Sequence, residues 1–293
     1  VFALVLLFPL VAVSADEKPS TGPEPAPAQA GVRELDEAQK YYEREEFGEA
    51  VEWLLKSAEK GNLTAHNMLG VCYEHGLGVE QSYEQAVEWH LKAAEKGYAA
   101  AQNDLGVCFA AGNGVEADFE QAAKWYRKAA DQGYAIAQNN LGYCYEYGEG
   151  VEQNLSEAVK WYSKAGNQGN ADAQFNLGLC YEVGKGVRQS YEEAVKWYRK
   201  AAEQNDPGAQ TNLGLCYEKG QVVKQTDELA VTWYRKAADQ GDAVAQFNLG
   251  YCYETGRGVK ENKAAAIEWY RKAAEQDDED AKERLKELEG EEE

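Results

Sequence analysis

Residues Asp118 to Gln153 read DFEQAAKWYRKAADQGYAIAQNNLGYCYEYGEGVEQ, and the chain repeats this stretch in both directions at a fixed interval. Tryptophan falls at Trp53, Trp89, Trp125, Trp161, Trp197, Trp233 and Trp269, with 36 residues between each and the next. Cysteine keeps the same interval at Cys72, Cys108, Cys144, Cys180, Cys216 and Cys252. So does the Leu-Gly pair, at Leu69-Gly70, Leu105-Gly106, Leu141-Gly142, Leu177-Gly178, Leu213-Gly214 and Leu249-Gly250. A single globular core has no reason to keep such a register. A constant period of this length marks a solenoid of stacked supersecondary units.

Each half of the unit reads as a helix. Asp118 suits an N-cap, and Gln121 three residues later predicts a capping box, a pattern shared by Ser82/Gln85, Asn154/Glu157 and Ser190/Glu193. Ala122, Trp125, Tyr126, Ala129 and Ala130 fall on one apolar stripe. Glu120, Lys124, Arg127 and Asp131 fall on the opposite side. Gly133 ends the helix, and glycine recurs there at Gly61, Gly97, Gly169 and Gly241. In the second half Ala137, Leu141, Cys144 and Tyr145 make the apolar stripe, and Gly142 admits a close neighbour. Tyr147 to Val151 is read as the turn into the next unit. Two such helices cannot bury their stripes alone, whereas stacked copies can.

The pattern A-x-x-W-Y-x-K-A-A-x-Q-G, followed by A-Q-x-N-L-G-x-C-Y-E-x-G-x-G-V, resembles the Sel-one-like repeat (SLR), a relative of the tetratricopeptide repeat (TPR). The resemblance runs from about Phe47 to Gln276, as six full copies and a partial seventh. It implies an all-α fold, a right-handed α-solenoid of stacked helix-turn-helix repeats. It also implies use as an adaptor or scaffold rather than any one reaction.

Residues 1–15, VFALVLLFPLVAVSA, are uncharged and end in small residues, the h-region and cleavage site of a secretory signal. The run is shorter than the ~20 residues a membrane span needs. No start Met or basic n-region precedes it, so residues are expected to be missing from the N-terminus. The protein is therefore expected to be exported: periplasmic or secreted if bacterial, lumenal or extracellular if eukaryotic. No stable membrane insertion is expected after cleavage. Residues 16–31 hold four of the six prolines and read as a flexible spacer. Residues 32–45 read as a capping helix with Leu35, Ala38, Tyr41 and Tyr42 inward. The repeats occupy 46–293 and end in a polar C-terminal cap, with Ala281, Leu285 and Leu288 inward, and an acidic tail.

With 30 basic against 51 acidic residues the net charge is −21, which argues against nucleic acid and against an anionic membrane surface. Six cysteines in an exported chain would suggest disulfides. Here each sits at the same place one repeat apart, on helices whose axes stack ~8–10 Å apart. A disulfide needs Cα atoms within about 7 Å. Six buried free thiols are expected. The cysteine-rich SLR branch, by resemblance, pairs two cysteines per repeat across its two helices, and this chain has no second one. His66, His75 and His90 show no metal-ligand spacing, so neither metal nor cofactor is expected. The seven tryptophans are read as core. Asn62-Leu63-Thr64 and Asn154-Leu155-Ser156 are glycosylation sequons that also sit at helix N-cap positions.

On the Leu-Gly helix, at 100° per residue, Asn139, Tyr143 and Glu146 point away from Leu141. The same stripe contains Asn103, Val107, Phe175, Leu179, Glu182, Leu215, Glu218, Phe247, Tyr251 and Glu254. In TPR domains the corresponding helix lines the concave groove, so the resemblance makes this stripe the partner-binding face. The Asn that often follows Leu-Gly there, and clamps a peptide carboxylate, is replaced by Val71, Val107, Tyr143, Leu179, Leu215 and Tyr251. What remains is an apolar floor edged by glutamates. It suits a protein or peptide with apolar anchors beside basic residues. The expected function is a non-catalytic exported adaptor. The alternative is a β-lactamase-like or cell-wall-related hydrolase, since the cysteine-rich SLR branch is associated with such activities. No nucleophile with an adjacent base stands out here.

Overall fold

The computed structural model describes residues 31–220 and 225–290. The expected signal and nearly all of the spacer lie outside the described residues. A first helix, α1 (Val32–Tyr42), precedes the array and buries Ala38. Seven helices then carry the Trp-bearing half-repeat: α2 (Phe47–Glu59), α4 (Tyr83–Ala94), α6 (Phe119–Asp131), α8 (Leu155–Asn167), α10 (Tyr191–Glu203), α12 (Asp227–Asp239) and α14 (Lys263–Ala274). Alternating with the first six of these gaps and closing the last are α3 (Leu63–His75), α5 (Ala99–Ala111), α7 (Ala135–Tyr147), α9 (Ala171–Val183), α11 (Pro207–Lys219), α13 (Ala243–Thr255) and α15 (Glu279–Gly290). Of these, α3 to α13 carry the Leu-Gly pair. The fold is an all-α solenoid of 36-residue helical repeats, with no strand among the described residues.

The N-caps fall where the sequence puts them: the Gln121 N–H donates to Asp118 Oδ1 at 3.0 Å. The reciprocal half of the capping box is not made, because the cap's own N–H is already used. Asp118 N–H donates to Phe109 O at 2.9 Å, and Ser82, Asn154, Ser190, Thr226 and Asn262 reach back in the same way to the preceding Leu-Gly helix. The N3 side chains turn outward instead, as Glu157 does to Lys160 and Glu193 to Lys196. Each Leu-Gly helix from α3 to α13 stops at a left-handed glycine, as at Gly148 (φ 75°), whose N–H bonds Cys144 O at 2.9 Å. Asn205 (φ 68°) and Asp277 (φ 65°) take the left-handed place that Gly133 holds after α6.

The tightest packing joins each Leu-Gly helix to the Trp-bearing helix that follows it, half a repeat out of phase with the 118–153 stretch. Glycine is what allows it. A Cβ on Gly178 would lie 2.3 Å from the Tyr198 ring, and one on Gly142 would lie 2.7 Å from Tyr162. Tyr162, Tyr198, Tyr234 and Tyr270 are fully buried as a result, with the Leu of each Leu-Gly pair and flanking alanines.

The tryptophans are a correction to the sequence reading. Only Trp161 is buried; the other six are half-buried. From Trp89 onward each packs one face against the preceding repeat, as Trp197 does on the Ala158–Cys180 cluster, while Trp53 packs on the cluster that includes Ala38 of α1. The other face lies under the lysine three residues on, at 3.5–4.3 Å from ring centroid to Nζ across the seven pairs.

A second ladder runs through buried glutamines. Gln138 Nε2 donates to Ala130 O at 3.1 Å, and its Oε1 accepts from Gln168 Nε2 of the next repeat at 2.7 Å. Gln102, Gln174, Gln210 and Gln246 repeat the arrangement.

Candidate binding face

The residues that face outward on the Leu-Gly helices come from one helical stripe, but packing divides them into two sets. Tyr143 (40 % exposed), Leu179 (37 %) and Tyr251 (37 %) present apolar surface to solvent. Val107 and Leu215, in the same column, are half-buried. The sequence reading missed Tyr147 (54 %) and Val183 (66 %), which belong to the same face. Both lie one turn after the column residue; Tyr147 reads as the start of the connecting turn, and Val183 is not singled out by the sequence. α7 and α9 run on to include them, which puts each at i+4 from its column residue on the same helix face. The Tyr143 and Tyr147 ring centroids are 4.4 Å apart.

The remaining predicted residues are engaged within the array. Asn103 is buried: its Oδ1 accepts from Asn140 Nδ2 at 2.9 Å and its Nδ2 donates to Asp104. Asn139, half-buried, accepts from Asn176 Nδ2 at 3.1 Å. Phe175 lies beside Gly208 of the next Leu-Gly helix, where a Cβ would come within 3.0 Å of its ring. Phe247 packs toward Tyr270, with centroids 5.4 Å apart. These two rings fill the seam between repeats.

The glutamates are spoken for as well. Glu146, Glu182, Glu218 and Glu254 accept the hydroxyl protons of Tyr162, Tyr198, Tyr234 and Tyr270 at 2.5–2.6 Å. Burial first, then these carboxylates, push all four phenols well above the ordinary tyrosine range. Glu146 also pairs with Lys185 at 2.6 Å, Glu218 with Arg257 at 2.8 Å, and Glu254 with Arg284. The hydrogen bond to Glu146 raises the pKa of Lys185. Glu146, Glu218 and Glu254, already paired from the neighbouring repeat, have little charge left for a basic partner, whereas Glu182 is met by the neutral Tyr198 hydroxyl. The face is therefore an apolar row whose edge is locally balanced at Glu146, Glu218 and Glu254.

The six cysteines are free and buried. Burial pushes the thiols of Cys72, Cys108, Cys144, Cys180 and Cys252 up to about 12, and that of Cys216 to about 11. None is a thiolate nucleophile near neutral pH. Among the described residues no three His, Cys, Asp or Glu side chains gather as a metal site. Also among these, no helix is long and apolar enough to cross a membrane. Asn62 is buried and caps α3 through the Ala65 N–H, whereas Asn154 is exposed.

Comparison with known proteins agrees with this geometry. Residues 46–62, 63–98, 99–134, 135–170, 171–206, 207–242 and 243–278 each match the model of the Sel1 repeat. The six full matches each begin at a Leu-Gly helix, the phase in which Gly142 meets Tyr162. A Sel1 repeat protein from Oxalobacter formigenes is 34% identical with a TM-score of 0.75, over 88% of this chain and 76% of that one. The protein c5321, a protective antigen present in uropathogenic Escherichia coli strains displaying an SLR fold, is also 34% identical, with a TM-score of 0.51. That match covers 88% of this chain and 64% of c5321. No curated protein sequence matches.

Proposed function

This chain belongs to the Sel1 repeat family, whose members generally act as protein-interaction scaffolds, and on that premise we propose that it is a non-catalytic adaptor holding a polypeptide along the Leu-Gly helices α7 to α13. The observation that carries the reading is the exposed row of Tyr143, Tyr147, Leu179, Val183 and Tyr251. Val32, Tyr83, Phe119, Leu229 and Val244 are also exposed but lie in the first turns of their helices, and Leu55 stands on α2; here five project from α7, α9 and α13 on one side. Rigid aromatic side chains give contact area at low entropic cost, which suits them as anchors for a partner. The partner that fits is a segment with apolar side chains spaced to meet successive helices. Lys185, Arg257 and Arg284 already answer Glu146, Glu218 and Glu254, which leaves Glu182 as the carboxylate a basic side chain of the partner would meet.

The triple change Tyr143→Ser, Leu179→Ser and Tyr251→Ser tests the face without entering the core. A partner is first captured by cross-linking, and its affinity for wild type and variant is then compared by titration. The variant should bind at least ~10-fold more weakly while melting close to wild type. Unchanged affinity would move recognition to another surface. Phe175 and Phe247 are left out of the change because they pack between repeats.

A further inference from the structure

Of the six places where the glycine of a Leu-Gly pair meets a ring on the following helix, five hold tyrosine and the one nearest the N-terminus holds histidine. His90 on α4 occupies the place of Tyr126, Tyr162, Tyr198, Tyr234 and Tyr270, and is fully buried. Its ring lies over Gly70 of α3, where a Cβ would come within 2.4 Å. Imidazole is shorter than phenol, so it makes no bond corresponding to the Tyr–Glu contact. Its Nδ1 is 2.8 Å from Asn67 Oδ1, and its Nε2 is buried without a hydrogen-bond partner.

The tautomer follows from the network. Asn67 Nδ2 donates to Asp104 Oδ2 at 2.9 Å, so Asn67 Oδ1 can only accept. Nδ1 therefore carries the proton, and Nε2 keeps its lone pair. A second proton would place a charged donor in a buried site with no acceptor.

The same junction lacks the glutamine ladder. His66 stands where Gln102 and its equivalents donate to a helix-end carbonyl, and Lys96 stands at the place of Gln132. His66 instead points Nδ1 at Asn62 O, 2.7 Å away, with its ring edge-on to Trp89. The α5–α6 junction, where Ala110 stands at the glutamate's place before Tyr126, still keeps its glutamine ladder; of the six Leu-Gly junctions, α3–α4 is the one that has neither device.

We propose that the α3–α4 pair is an acid-sensitive release point, at which α1 to α4 uncouple from the solenoid while the later repeats stay folded. Among the groups around His90, Asp104 on α5 favours the imidazolium, and burial, the larger effect, opposes it. From α3, Glu74 has its carboxyl pushed up by burial, so it becomes a weaker counter-ion as pH falls. Cys72 on α3 and Cys108 on α5 are neutral thiols. Lys92 and Lys96, close to His66, disfavour charge there. The sign is then fixed. The folded chain takes up the His90 proton at lower pH than the unfolded chain. The junction is fully stable above the ordinary histidine value of about 6.5 and weakens as pH falls below it. Coupling between nearest neighbours confines the loss to the end of the array.

Amide hydrogen exchange of the whole protein at about pH 7.5 and about pH 5, corrected for intrinsic rates, tests this. Amides of α2 to α4 should lose at least ~10-fold in protection relative to those of α9 to α13. His90→Tyr restores the residue used in the other repeats and should abolish the difference. A uniform loss along the array would overturn the proposal, as would a local loss that survives in His90→Tyr or disappears in His66→Gln. Proton NMR titration of the wild-type chain gives an independent check: His90 should titrate below the ordinary histidine value, and titration at or above it would also overturn the proposal.

Discussion

Gly178 and Tyr198 show at the scale of single residues how the array closes. A helix-interior glycine costs up to ~1 kcal/mol relative to alanine, so its presence needs a reason. The reason is the Tyr198 ring, which would sit 2.3 Å from a new Cβ and is fixed by burial and by the 2.5 Å bond to Glu182. Gly178→Ala should therefore destabilise the protein despite its better helix propensity, by roughly 1–3 kcal/mol. Tyr198→Phe keeps the packing but deletes a hydrogen bond to a carboxylate, which should cost about 1.5–3 kcal/mol. Urea unfolding of both variants checks this pair. A Gly178→Ala chain as stable as wild type would mean that the ring can move aside and the contact is incidental.

At the scale of the helix, the apolar stripes, the caps and the shared cysteine position were legible because each follows from period and local chemistry. Trp161 and Tyr162 show where legibility ends. Adjacent residues on a helix are 100° apart, and the boundary of a stripe does not say which aromatic lies deeper. Burial chose the tyrosines, because the Leu-Gly glycine makes room for them, and left six tryptophans half-covered under lysines. Tyr147 was misread, and Val183 passed over, because a helix followed by two glycines can stop a residue earlier or later. The pairings of Glu146 with Tyr162 and of Gln138 with Gln168 join residues 16 and 30 apart across a helix interface. No local pattern encodes them. Trp161 is the exception among its kind, buried within the α6–α7 cluster. Trp161→Ala should cost roughly 3–5 kcal/mol, and Trp197→Ala distinctly less. Because repeats couple to nearest neighbours, loss at α8 should split thermal unfolding into two transitions by calorimetry. A single transition shifted by less than about 1 kcal/mol would contradict the assigned burial.

Across the whole molecule the repeats sum to a long surface with two unlike sides and a net charge of −21. The charge is compatible with solubility and gives no purchase to phosphate backbones. The seams are satisfied internally by Tyr–Glu, Gln–Gln and Asn–Asn bonds. The exposed apolar row on α7, α9 and α13 is the feature those seams do not use. That the row meets a polypeptide is the central functional claim. It is tested most directly by hydrogen exchange of the chain with and without its cross-linked and identified partner, at saturating concentration. The account predicts added protection in α7, α9, α11 and α13, centred on Tyr143 to Tyr147 and Leu179 to Val183, with little change in α6, α8, α10 and α12. Protection confined to those Trp-bearing helices would contradict it.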